Sequence, residues 1–184
     1  MGEVGGSPIA ARATVARCSG SRSSGRPAPA SRCSRASSGG GSACLDVLFW
    51  RAGWVEPDRA EWEALNRELV QAERWILDGN YGSTMEIRLA AADTVVFLDP
   101  PPLLCIWRVV RRRRAGPRPD LPPYLDERVG ARDFLAFLAY TWRYRRTRRP
   151  GVEERIARHR GGKKVHVLRS RRDVDRFLAV VSGP

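Results

Sequence analysis

Three apolar runs in this chain end in an aspartate. Asp46 follows Leu45, Asp78 follows Trp75-Ile76-Leu77, and Asp99 follows Thr94-Val95-Val96-Phe97-Leu98. Short apolar runs bounded by polar residues read as buried strands of a parallel sheet. Ligands of such sheets sit at the carboxyl edge of the strands, so acids there can bind substrate or hold Mg²⁺ through water. A local role competes with this, because Asp78-Gly79 and Asp99-Pro100 are also ordinary turn formers. Farther along, Arg108 and Arg112 stand four apart and share a helix face, with Arg111, Arg113 and Arg114 beside them. Guanidinium forks suit phosphoryl oxygens. A solvated basic face would use the same residues.

A phosphate loop of the form G-x-x-x-x-G-K-[ST] wraps phosphates in backbone N–H groups and reaches the terminal ones with its lysine. No segment has this form. The only lysines are Lys163 and Lys164, and Gly162-Lys163 leads into an apolar run rather than a helix. His159 and His166 lack the Ser or Cys partner that nucleophilic catalysis requires. Cys18, Cys33, Cys44 and Cys105 show no C-x-x-C spacing, which argues against a zinc site or a disulfide framework. The Asp46-to-Trp54 segment carries aromatics that either stack on a base or join the core. Trp142-Arg143-Tyr144-Arg145-Arg146 has the makings of an RNA clamp, yet Phe134, Phe137 and Leu138 precede it at core spacing, so Trp142 is expected inside.

These residues need elements to hold them. Trp62, Leu65, Leu69 and Val70 recur at helical spacing over 57–73, with Pro57 suited to the first turn. A basic helix is predicted from about Leu103 to Arg114, closed by Ala115-Gly116-Pro117. Residues 117–130 read as a loop or lid, followed by the helix bearing Phe134 and a basic helix near 152–160. Lys164–Leu168 is the last strand. Ser170 and Asp173 then resemble a capping box for a closing helix whose core face is Val174, Phe177, Leu178 and Val181. Alternating strands and helices imply a parallel sheet of α/β type.

The chain has 184 residues and a net charge of +13, room for one domain with a substantial core. A positive surface favours phosphate, nucleotide or nucleic-acid ligands. Arginines account for 31 of the 33 basic residues, an imbalance that GC-rich coding alone also produces. Residues 1–43 hold 35 Gly, Ser, Ala, Arg or Pro and no Leu, Phe, Trp or Tyr, so this segment is expected to be disordered. It reads equally as a natural tail or as an out-of-frame translation, with the folded domain beginning at residue 44. The longest apolar stretch of the body, Leu103–Val110, is interrupted by Arg108 and is far below the ~20 residues needed to span a bilayer. The first thirty residues lack a signal-peptide core, so a cytoplasmic location is the expectation.

Taken together, Leu45-Asp46-Val47-Leu48-Phe49-Trp50 with Gly53-Trp54, Trp75 through Tyr81, Ala92 through Asp99, Arg108 with Arg112, and Leu168-Arg169-Ser170 resemble the bacterial DNA topology modulation protein family. These are relatives of adenylate and shikimate kinases among the P-loop nucleotide kinases. The likeness spans residues 44–181. It implies a three-layer parallel sheet of P-loop kinase type, here without a normal first strand or phosphate loop. It also implies ATP with Mg²⁺ as cofactors and phosphoryl transfer to a small or nucleotide acceptor, impaired in this chain. The catalytic assignments are Asp78, Arg108 and Arg112. The acceptor side comprises Asp46, Trp50, Gly79, Asn80, Tyr81 and Arg88, and the cofactor side Asp99 and Arg171. No residue is assigned as a direct metal ligand. A basic protein that binds nucleic acid without catalysis is the alternative from another class.

Overall fold

The computed structural model describes residues 12–17, 41–114 and 130–181. Five strands form one all-parallel sheet: β1 (Arg12–Arg17), β2 (Gly41–Cys44), β3 (Trp75–Asp78), β4 (Thr94–Leu98) and β5 (Lys164–Leu168), in the order β2-β3-β1-β4-β5. Seven α-helices are seen among the described residues: α1 (Leu45–Phe49), α2 (Arg59–Leu69), α3 (Met85–Ala91), α4 (Pro102–Arg114), α5 (Ala131–Thr147), α6 (Arg149–Arg158) and α7 (Arg171–Val181).

Helices cover both faces of the sheet, and the strand alternation shows which helix lies where. Neighbouring residues of a strand point to opposite faces. Val165 packs with Val95 and Phe97 against Met85 and Leu89 of α3 and Val152 and Ile156 of α6. Its neighbour His166 meets Phe177 of α7, with ring centres 4.9 Å apart. The architecture is therefore α/β with three layers. A second cluster joins Trp75 and Leu77 of β3 to Trp62 and Leu69 of α2 and to Ala43 and Leu45. Burying a side chain such as Leu77 contributes about 2 kcal/mol.

Several expectations are corrected here. Residues 1–43 were expected to be without structure and the first strand missing, yet Arg12–Arg17 is the central strand and Gly41–Cys44 an edge strand. A strand flanked on both sides takes its main-chain hydrogen bonds from two neighbours, and Ala13 and Thr14 are buried there without any large apolar residue. The sheet thus crosses the boundary expected at residue 44. Leu45 does not end a strand but opens α1, and the strand beside it stops at Cys44. Asp58 caps α2, its carboxylate accepting from the Ala60 N–H at 2.8 Å, and Pro57 lies outside the helix. The span 117–130 is outside the described residues except for Gly130, which caps α5.

Other expectations hold closely. Strands β3, β4 and β5 and helix α4 fall within a residue of their expected spans. Before α7, the Ser170 hydroxyl accepts from the Asp173 N–H at 3.2 Å, and the Asp173 carboxylate accepts from the Ser170 N–H at 2.8 Å. Of the expected core face of α7, Leu178 is exposed. Lys163, from the Gly-Lys pair unfit for phosphate, donates to the Ala90 and Ala92 carbonyls at 2.8 and 2.7 Å and so closes the end of α3. Among the described residues, no helix is long and apolar enough to cross a membrane.

Candidate functional site

The register brings the three aspartates to one edge. Cys44 pairs with Asp78, Val15 lies beside both Asp78 and Val96, and Leu98 pairs with Leu168. Asp46, Asp78 and Asp99 therefore all stand at the carboxyl ends of the strands. Their surroundings differ sharply.

At the end of β3 the chain turns through Gly79, whose N–H donates to the Val15 carbonyl at 3.1 Å. Gly79 has φ +153°, and a Cβ there would lie 2.9 Å from the Leu45 Cβ, so glycine is required. Arg88 of α3 holds this turn from beneath. Its guanidinium donates to the carbonyls of Gly79 (2.8 Å), Asn80 (3.2 Å) and Tyr81 (3.0 Å). Burial pushes its pKa down to about 10, against the opposing influence of Tyr81. Arg88 was expected on the acceptor side. With 1 % of its surface exposed and its charge directed at backbone carbonyls, it is instead a positioning residue for the 79–81 turn.

The turn projects two polar side chains. Asn80 donates to the Tyr144 hydroxyl of α5 at 3.1 Å, and the Tyr81 hydroxyl donates to Asp46 at 2.8 Å. Burial and the neighbouring Asp46 carboxylate push the Tyr81 hydroxyl pKa upward, so it stays protonated as a donor. Behind it, Phe49 meets Tyr81, Trp62 and Trp50 with ring centres 4.5, 5.0 and 4.9 Å apart, and Trp50 meets Trp54 at 5.5 Å. The aromatics of this segment pack on one another. Trp50 remains half-buried at the edge of the cluster.

Beyond the turn opens a cavity of about 430 Å³, lined by Asn80–Ser83 and Met85 below and by Tyr140, Tyr144, Arg148, Val152 and Arg155 of α5, α6 and their junction above. Its size suits a small-molecule ligand. Of the lining residues beyond Tyr81, sequence reading singled out only Tyr144, and that as part of an RNA clamp. Arg148, Val152 and Arg155 follow i, i+4, i+7 spacing, the one signal that joins them on a helix face.

Asp99 sits differently. It is 2 % exposed, with Arg149 at 3.1 Å and Arg169 at 3.6 Å. Burial raises its pKa, against the pull of Arg149, Arg145 and Arg169. Expected on the cofactor side, this carboxylate ties the end of β4 to α6 and to the end of β5. Arg171, the other expected cofactor residue, is exposed at the start of α7 and pairs with Asp175 at 3.9 Å. Arg108 and Arg112 are half-buried on α4, three and seven residues past Cys105, which packs with Tyr144. They do not line the cavity. Trp142 was expected in the core, but the buried face of α5 is set by Thr141 and Tyr144, and Trp142 turns outward. His159, given no role, pairs with Glu86, which Arg158 also meets at 3.0 Å.

Among the described residues, no three His, Cys, Asp or Glu side chains gather to enclose a metal ion. The segment directly after β1 contains Gly20 and Gly25 with four residues between them, then Arg26-Pro27 where a phosphate loop has Lys-Ser/Thr. That stretch lies outside the described residues. No protein-family model matches the chain, and no curated protein matches it.

Proposed function

We propose that the chain is a P-loop kinase-like α/β domain, similar to the DNA topology modulation proteins, whose cavity takes a phosphorylated small molecule and whose ATP turnover is impaired. One observation carries this reading: a cavity at the carboxyl end of β3, walled by tyrosines and two arginines, beside the Asp78-Gly79 turn. Arginines 148 and 155 supply charge for a phosphate monoester, and the rings of Tyr140 and Tyr144 supply a flat wall for an attached planar group. Asn80 orients the Tyr144 hydroxyl at the cavity wall.

Asp78, half-buried at the strand end, is the residue suited to hold Mg²⁺ through water, since Mg²⁺ commonly uses one or two carboxylates together with substrate phosphates. The metal, when bound with ATP, would supply neutralisation of phosphate charge. Asp46 and Asp99 are committed to Tyr81 and to arginines. With Arg26-Pro27 in place of Lys-Ser/Thr, the chain lacks the side chains that reach the terminal phosphates and the metal.

The reading is tested by calorimetric titration of the whole chain with nucleoside monophosphates and with ATP. A monophosphate is expected to bind with an affinity that Arg148→Ala and Arg155→Ala each weaken by roughly tenfold, while ATP hydrolysis stays at background. Absence of any phosphate-ester binding would refute the cavity assignment. An ATPase or kinase rate abolished by Asp78→Ala would refute the impairment.

A further inference from the structure

Helices α4 and α5 run antiparallel. Cys105 packs with Tyr144, while farther along α4 the Arg113 guanidinium lies 4.3 Å from the centre of the Phe134 ring. Each helix commits one face to this contact. On its far side α4 carries Leu103, Trp107 and Arg111 at i, i+4 and i+8, with Trp107 53 % exposed. The Arg111 guanidinium sits over the Trp107 ring, 5.2 Å from its centre. Helix α5 repeats the pattern: Trp142 is 51 % exposed, and Arg143 and Arg146 are exposed beside it. Trp107 and Trp142 each lie two residues from the Cys105–Tyr144 contact, toward the same end of the pair, so they stand at one level of it.

A tryptophan left half in water on a chain of net charge +13 forfeits part of its burial, and here two of them do so beside guanidinium groups. We infer that the two outer flanks of the α4–α5 pair, one carrying Trp107 and the other Trp142, are a binding surface for single-stranded nucleic acid. An indole face stacks on a base of any identity, and a neighbouring arginine takes the phosphate that links it to the next. The cation over Trp107 already holds ring and charge in this arrangement. Duplex DNA offers phosphates but hides its base faces, so the exposed rings select the single strand. The surface is independent of the cavity and does not rest on the kinase-like reading.

The test is fluorescence anisotropy of a labelled oligothymidylate titrated with the whole chain, alongside quenching of its tryptophan emission. Binding is expected to weaken with salt, and Trp107→Ala and Trp142→Ala each to weaken it by roughly tenfold, the worth of one stacked base. Trp107→Phe retains most of the affinity, and Arg111→Ala flattens the salt slope by about 0.7. Both tryptophans are exposed, and thermal melting of each variant checks that the fold is unchanged. Affinity unaltered by both alanine substitutions would overturn the inference, as would equal affinity for a duplex of matched length. Tighter binding to phosphatidylserine vesicles than to the oligomer, lost on the same substitutions, would assign the surface to a bilayer and overturn it too.

Discussion

Two aspartates close strands on either side of β1, at the same sheet edge, and live in opposite settings. Asp78 ends β3 beside a turn whose three carbonyls are gathered by Arg88, and that turn floors a cavity. Asp99 follows β4, is buried, and faces Arg149 and Arg169. At the first edge Arg88 satisfies the backbone carbonyls of the turn, and a cavity opens beyond them. The second has charge satisfied from above and is closed. Aspartate at a strand end therefore marks the rim of a parallel sheet, and the neighbouring cations decide whether that rim serves a ligand or the fold.

The contrast can be broken most forcefully at Arg88. Replacing it with alanine removes a buried guanidinium and leaves the Gly79, Asn80 and Tyr81 carbonyls without their donor. A loss of about 4 kcal/mol is expected in urea unfolding, with early amide exchange confined to the turn. A loss below about 1 kcal/mol would show that the turn holds itself.

At the closed edge the two partners of one ion pair are expected to behave asymmetrically. Arg149→Ala leaves the Asp99 carboxylate buried with weaker compensation and costs about 3 kcal/mol, whereas Asp99→Asn costs under about 1 kcal/mol. The pH dependence sharpens this. A carboxyl whose folded pKa is raised contributes stability that is fully present below its unfolded value and is lost as pH rises through the folded value. The difference between the native chain and Asp99→Asn should therefore move in favour of the variant as pH rises from acid toward neutrality. Movement in the other direction would mean that the arginines outweigh burial.

Back at the open edge, Gly79→Ala forces a side chain into positive φ and against Leu45, for an expected loss of about 2 kcal/mol. Thermal melting measures it, and an unchanged melting temperature would mean that the turn relaxes freely. The smallest effect lies at the α7 cap. Hydrogen bonds from Ser170 and the Arg169 and Ser170 N–H groups lower the Asp173 pKa. Its contribution is present above the unfolded carboxylate value and disappears as pH falls through the folded one. Acid titration followed by circular dichroism should show Asp173→Asn insensitive over that window.

Strands β3, β4 and β5 were legible because each is a short apolar run with a polar stop, the pattern that burial on both faces imposes. Central β1 was not, since Ala13, Thr14 and Val15 are too small to stand out in a Gly- and Arg-rich stretch. Its hydrogen bonds to two neighbours compensate, and those leave no trace in side-chain chemistry. The Asp78–Tyr81 turn was legible as a candidate site. The opposite wall of its cavity was not, because Tyr144 and Thr141 present a hydroxyl-bearing buried face that hydrophobic periodicity does not register. The same blind spot placed Trp142 inside. Arg88 and Arg149 belong to a third kind: an arginine's sequence neighbours say nothing about whether its fork meets a ligand, a carbonyl or a carboxylate.

Closure of α3 by Lys163 has a practical side. With that amine held by two carbonyls, Lys164 becomes the accessible handle for side-chain acylation. It opens β5 at the amino end of the sheet, opposite the aspartate rim. A chain coupled to a sensor chip through this side chain is held by the end of β5 that lies away from the aspartate rim.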